Sequence, residues 1–212
     1  MHQLITSRAR QRGMTLLELV LGVGIVSFTL ALGVPSMSHW LQTNKAKATS
    51  EFYADGLGTA RRQALSHNSR SRIVLSENGA TGQYNWQIDI CFPQPDAPCS
   101  SDAGGWSTVD KPAANDPQGA QGYKSVFRSA GSLPPAAVAA PVLQPASARE
   151  IYFTELGWVD PAVEDRLHSI RLNPGSEFKD DVAPVALVVT LSGMTTKCDP
   201  TRGTGDSRAC PE

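Results

Sequence analysis

Residues 13–35 read GMTLLELVLGVGIVSFTLALGVP, and this stretch decides the architecture of the 212-residue chain. It overlaps a longer segment, residues 19–44, that contains no Asp, Glu, Lys or Arg. About 20 residues of α-helix cover ~30 Å, the thickness of the hydrocarbon core of a bilayer. The sequence therefore predicts a transmembrane helix over residues 14–35.

Charges in front of this helix predict its orientation. Arg8, Arg10 and Arg12 precede the apolar stretch, and residues 1–13 contain no acidic residue. Because positive charge is retained on the cytoplasmic side, the chain that follows Pro35 is expected on the opposite side of the membrane.

Two simpler interpretations of the stretch are a cleaved secretory signal and a plain single-pass anchor. Ala31 and Gly33 suit a signal-peptidase site, but the apolar run is longer than the usual range of about 7–15 residues. A plain anchor leaves Glu18 unexplained, because a carboxylate within a membrane helix costs about 2.5–3.5 kcal/mol. That cost points to a function for Glu18.

The order Gly-Met-Thr-Leu-Leu-Glu over residues 13–18, after a basic leader and before the apolar run, closely resembles the processing site of type IV pilins and type II secretion pseudopilins. The resemblance implies that a prepilin peptidase removes residues 1–13 by cutting after Gly13. Met14, where the family commonly has Phe, would become the N-methylated terminus. Glu18 would be the assembly glutamate, and Pro35 would bend the helix.

Electrostatics gives Glu18 a role that is independent of this resemblance. A cut after Gly13 creates an amine at Met14, which the Glu18 carboxylate of a neighbouring subunit can neutralise in a packed helical filament. Desolvation can exceed the attraction, so the pair is not necessarily stabilising. It does penalise wrong registers, and Glu18 is therefore expected to set the axial offset between subunits.

Residues 36–68 are predicted to form an amphipathic continuation of the helix, with two apolar stripes at helical spacing. The first stripe comprises Met37, Leu41, Ala48 and Phe52, and the second comprises Tyr53, Leu57, Ala60 and Ala64. The change of stripe coincides with Gly56 and Gly58. It indicates a bend or a new packing partner there, or two faces buried against one sheet.

Residues 69–212 are predicted to form a β-rich head. Alternation and turn residues indicate a hairpin of residues 72–76 and 84–90, with further strands at 124–128, 150–153, 167–172 and 185–191. Nine of the 15 prolines lie between Pro93 and Pro145, so residues 92–149 are expected to be an irregular insertion. The predicted fold class is α+β, a pilin-like lollipop whose long N-terminal helix packs on an antiparallel sheet.

Four cysteines favour two local disulfides, Cys91 with Cys99 and Cys198 with Cys210, among three possible connectivities. Each loop closure would contribute about 2.5–3 kcal/mol, and an oxidising periplasm permits it. Neither pair has zinc-ligand spacing, and no ordered series of oxygen ligands for calcium surrounds the tail acids, Asp199 and Asp206. No metal or cofactor is expected.

A looser resemblance, over the first third of the chain and a late strand, is to the FimT, FimU and GspH branch of minor pilins and pseudopilins. Some FimT-like members bind DNA through a Gly-Arg-x-Arg motif after the final strand. Residues 193–197 read GMTTK here, without either arginine. Candidates for a residual basic patch are Arg61, Arg62, Arg70 and Arg72, or Lys197, Arg202 and Arg208.

Charge also argues against a nucleic-acid partner. The chain has a net charge of −1, and removal of the leader would leave 16 basic and 20 acidic residues. Binding to phosphate polymers needs an excess of Lys and Arg. Nucleic acid is therefore not an expected partner.

The sequence contains no catalytic motif. His39, His67 and His168 lie near no nucleophile motif, phosphate-binding loop or metal-spaced partner, and Trp158 is interpreted as a core aromatic at a strand end. The expected function is fibre assembly by a minor pilin or pseudopilin, anchored in the inner membrane with a periplasmic head. Expected partners are the prepilin peptidase, other pilins, the inner-membrane assembly platform and membrane lipid. The alternatives are a DNA-binding minor pilin and a single-pass periplasmic binding module unrelated to fibres.

Overall fold

The computed structural model describes residues 14–211, without the side chains of residues 34–36 and 39. The predicted leader, including Gly13, lies outside the described residues. The chain divides into two compact units, Met1–Leu41 and Gln42–Glu212. The first contains one candidate membrane span, Leu16–Gly33, with a mean hydropathy of 2.1 and no buried side chain.

Helix α1 covers Leu16–His67, so the predicted helix of about this extent is present. It ends in a Schellman motif: Asn68 adopts a left-handed φ of 44°, while the Ser69 N–H donates to the Ala64 carbonyl and the Asn68 N–H to the Leu65 carbonyl. Backbone helix continues through Pro35. The bend expected at Pro35 stays a prediction.

The described part of the head contains eight strands in two antiparallel sheets, instead of the single sheet expected. The first sheet has the order β3-β2-β1-β5, from β1 (Arg70–Asn78), β2 (Gln83–Cys91), β3 (Val126–Arg128) and β5 (Glu150–Phe153). The second has the order β4-β6-β7-β8, from β4 (Ala140–Gln144), β6 (Ser169–Asn173), β7 (Val185–Val189) and β8 (Thr195–Cys198). The α+β class is confirmed.

The head part of α1 packs against both sheets through one of the two predicted stripes. Tyr53, Leu57, Ala60 and Ala64 are fully buried and belong to one hydrophobic core with residues of both sheets. Of the other stripe, Phe52 is buried in the head, whereas Met37, Leu41 and Ala48 are exposed.

A glycine allows a close contact between helix and sheet. The Trp86 ring lies 3.0 Å from the position that a Cβ on Gly56 would occupy, and its Nε1 donates to the Phe52 carbonyl at 3.1 Å. Gly56 therefore marks a close approach of β2.

The proline-rich insertion is more ordered than expected, since it contributes β4 in addition to β3, which matches the strand predicted at residues 124–128. The segment before β3 also covers the outer face of the first sheet. There Asp89, 1% exposed, pairs with Arg72 at 2.9 Å, and Trp106 from the insertion stacks on the Arg72 guanidinium at 4.5 Å. Ser125 of the insertion also donates its hydroxyl to the Asp89 Oδ1 at 2.6 Å, so the insertion contacts both members of this buried charge pair.

Candidate functional site

The first turn of α1 places the predicted assembly residues together. Met14 is exposed just before the helix, and Thr15 caps it: the Thr15 Oγ1 accepts the Glu18 backbone N–H at 3.2 Å. Glu18 is the acidic residue of the first turn. An amine created at Met14 by the predicted cut would therefore begin two residues before the helix.

This geometry identifies a signal that the sequence interpretation missed. Thr15 and Glu18 have the Thr-x-x-Glu spacing of a capping box, and a carboxylate in the first turn is favoured by the helix dipole. Local capping is thus a second physical reason for Glu18, besides a pair with a neighbouring subunit. The two reasons predict different effects of substitution.

The four cysteines form the two local disulfides that the sequence favoured, Cys91–Cys99 and Cys198–Cys210. The first fixes the start of the insertion to the end of β2. The second ties the tail to the end of β8. The tail acids contact cations of this chain: Asp199 pairs with Arg202 at 3.2 Å, and Asp206 with Arg208 at 3.2 Å.

Two turns of the head repeat one hydrogen-bond pattern. In residues 154–158 the Thr154 N–H donates to the Trp158 carbonyl, and in residues 190–194 the Thr190 N–H donates to the Met194 carbonyl. In each turn the threonine hydroxyl accepts the N–H of the fifth residue at 3.3 Å. The sequence signal is Thr-x-x-Gly followed by a large apolar residue.

The two turns lie against each other because both carry glycine. Gly157 and Gly193 have left-handed φ values of 71° and 77°, and a Cβ on Gly193 would collide with the Gly157 carbonyl. That carbonyl accepts from the Arg61 Nε at 3.1 Å. Helix α1 and the two turns therefore meet at the Gly157 carbonyl.

These turns expose large apolar side chains. We call this surface the turn patch; it comprises Leu156, Trp158, Leu191 and Met194, with Leu65 of α1 against Gly157. Trp158 is 59% exposed, so its interpretation as a core aromatic was wrong. The turn at Gly157 directs the Trp158 side chain outward. The number of apolar residues in a segment does not show this direction. Clustered apolar exposure is typical of protein interaction sites.

Most candidates for a basic patch are held by carboxylates. Arg62 lies 3.6 Å from Asp55, Arg70 lies 2.6 Å from Asp160, and Arg72, Arg202 and Arg208 pair with the aspartates described above. Residues 193–197 lie in the turn between β7 and β8 and in β8 itself, not after the final strand.

Lys197 is fastened to the helix. Its Nζ lies 2.5 Å from the Glu51 carboxylate and 3.3 Å from the Ser50 hydroxyl. The hydrogen bond and charge of Lys197 lower the pKa of Glu51 below its usual 4.5. Lys197 therefore has an intramolecular carboxylate partner.

The histidines do not form a common site. His67 packs edge-on against the Tyr123 ring at 5.1 Å, whereas His168 is exposed at the start of β6 and the His39 side chain lies outside the described residues. In the described part of the chain, no group of three His, Cys, Asp or Glu side chains is placed to hold a metal ion.

No family model matches the chain, and no curated protein does. Among solved structures, the type IV minor pilin FimU of Pseudomonas aeruginosa is similar, with 14% identity, a TM-score of 0.40, and coverage of 72% of this chain and 87% of that one. A likeness at this level supports no conclusion about this chain, and the function proposed next rests on the chain's own residues.

Proposed function

We propose that the chain is a minor pilin or pseudopilin that is processed after Gly13 and assembles into a type IV pilus or type II secretion fibre. The observation that carries the proposal is the first turn of α1. A single carboxylate, Glu18, opens an otherwise apolar membrane-length helix, directly behind a Gly-Met pair and a basic leader. A prepilin peptidase, other pilins and the inner-membrane platform would be the partners.

The described head suits a structural subunit. Its turn patch offers an apolar surface for contact with other fibre subunits. One disulfide restrains the insertion and the other restrains the tail, so both segments keep a defined position on the head. The head and patch would therefore contribute contacts that follow packing of the helices.

Mass spectrometry of the protein extracted from its native membrane tests the processing step. We expect a mature chain that starts at methylated Met14. An intact amino terminus, or a cut after Gly33, would contradict the proposal and leave a tethered domain or a secreted one.

Substitutions in the first turn distinguish charge pairing from capping. E18Q keeps a residue that suits the capping box but removes the charge, whereas T15A removes the cap and keeps the charge. We expect E18Q to insert normally but to lose most incorporation into sheared fibres, and T15A to retain it. T29A is a matched control, because the Thr29 hydroxyl contacts only the Val26 carbonyl within the described helix. Loss of incorporation in T15A together with retention in E18Q would assign Glu18 to capping alone.

A further inference from the structure

A cleft of about 750 Å³ lies on the outer face of the second sheet. Its walls are the loop before β6, the β7–β8 turn and the tail at Cys210 and Pro211. Three side chains that can carry positive charge line it, Arg166, His168 and Arg171, and no Asp or Glu among the described residues does. This volume is within the range of about 300–1,000 Å³ that is usual for small-ligand sites.

Strand register explains why an arginine faces this cleft. Ile170 and Leu172 of β6 belong to the core, so Arg171 between them points to the opposite face. Arg171 stands between Val142 of β4 and Ala186 of β7. Neither of these two neighbours is acidic, so neither can pair with the guanidinium.

The cleft arginines differ from most arginines of the described head. Six others form ion pairs with carboxylates, namely Arg62, Arg70, Arg72, Arg128, Arg202 and Arg208. Arg166 and Arg171 have no carboxylate within ion-pair distance among the described residues; Arg166 donates only to the Val163 carbonyl, at 2.6 Å. The exception is notable in a chain with more acidic than basic residues.

The remaining lining supplies neutral hydrogen-bonding groups. Hydroxyls of Ser169, Thr190 and Ser192 line the cleft, and the Ser169 Oγ donates to the Gln144 Oε1 at 2.9 Å. Guanidinium groups bind phosphate and carboxylate through paired N–H donors, and hydroxyls and amides bind the polar substituents of the same ligand.

We propose that this cleft binds a small ligand that presents a phosphate or carboxylate group to Arg166 and Arg171. A long polyanion fits less well, because the hollow that adjoins the cleft across Thr190 and Cys210 is lined by Asp206. The site is separate from the helix that would assemble the fibre. A negative result for one proposal therefore does not bear on the other.

Titration of the full chain in non-ionic detergent tests this site, at low ionic strength and without phosphate or carboxylate buffers. The probes are inorganic pyrophosphate, glucose 6-phosphate, glucuronate and, as an uncharged reference, glucose. We expect saturable binding of at least one anionic probe and none of glucose. The phosphate and carboxylate arms show which anion the cleft prefers.

R171Q should weaken that binding at least about tenfold, because a charge-assisted hydrogen bond is lost. R149Q is the matched control, since Arg149 also lacks a carboxylate partner among the described residues but lies outside the cleft lining. Thermal unfolding of both variants shows whether they remain folded, and R166Q replaces R171Q if the latter does not. Absence of saturable binding, equal loss in R149Q, or preference for a single-stranded DNA oligonucleotide over every small anion would overturn the proposal.

Discussion

Tyr53 joins three parts of the head through one hydroxyl. That oxygen donates to the Gln83 Oε1 at 3.0 Å and accepts the Tyr84 backbone N–H at 2.8 Å. The Gln83 amide, fully buried, continues to the Ala139 carbonyl at 3.0 Å. Burial raises the pKa of Tyr53, so the hydroxyl stays protonated and able to donate.

Y53F should therefore destabilise the head, since it leaves the buried Gln83 oxygen and Tyr84 N–H without a partner. We expect a loss of about 1–3 kcal/mol in the free energy of unfolding. Denaturant unfolding of the full chain in detergent measures it. Y84F is the control, because the Tyr84 hydroxyl has no hydrogen bond among the described residues; a similar loss in Y84F would refute the network.

The Glu51–Lys197 pair should make stability depend on acid pH. Its lowered pKa means that Glu51 stabilises the fold above pH 4.5, and that this contribution disappears as pH falls through the pKa in the folded state. Glu51 is 60% exposed, so E51Q should cost less than about 1 kcal/mol at pH 7.

A series of unfolding curves at decreasing pH should show the difference between the wild-type chain and E51Q shrinking as Glu51 becomes protonated in the folded state. E77Q provides the comparison, since Glu77 forms no ion pair among the described residues. A difference between the wild-type chain and E51Q that does not change with pH would mean that charge is not the cause.

At the scale of elements, the close contact of the two turns depends on Gly157 and Gly193, where a side chain would be strained. G193A would place a methyl group against the Gly157 carbonyl and hold alanine at a left-handed φ. We expect a loss of about 1–3 kcal/mol in the free energy of unfolding. The tryptophan fluorescence should also shift, because the turn patch around Trp158 rearranges.

G203A is the matched control for the paired turns. A Cβ on Gly203 would meet no atom within 4 Å, so this substitution should change neither property. An unchanged G193A would show that the two turns are not in close contact.

The strands that the sequence missed are both edge strands. β4 contains Pro141, which a central strand would exclude, and β8 is a short polar segment, Thr195–Cys198. Edge strands need fewer backbone donors and bury fewer side chains, so their sequence pattern is weak. The central hairpin of β1 and β2 was predictable because alternate residues of both strands face the core.

At the scale of the whole molecule, the insertion lies against the buried Arg72–Asp89 pair of the first sheet, where Ser125 contacts Asp89 and Trp106 contacts Arg72. D89N would leave the Arg72 charge, 17% exposed, without its main partner. We expect a loss of about 3–5 kcal/mol in the free energy of unfolding and faster proteolysis within residues 92–125.

D55N is the surface counterpart of D89N. Asp55 pairs with Arg62 and Arg128 but is 47% exposed, so its loss should cost less than about 1 kcal/mol. Comparable losses in the two variants would contradict a special role for the buried pair. Thermal unfolding and limited proteolysis of the full chain provide both measurements.

Local features of the sequence determined the long helix, the central hairpin and the favoured disulfide pairs: apolar composition, alternation and short cysteine spacing each depend on residues close together in the chain. Only the tertiary structure decided the division into two sheets, the outward turn of Trp158, the carboxylate partners of the arginines and the cleft around Arg171. Each of these features depends on contacts between residues that are far apart in sequence. Such contacts produce no regular pattern along the chain from which they could be predicted.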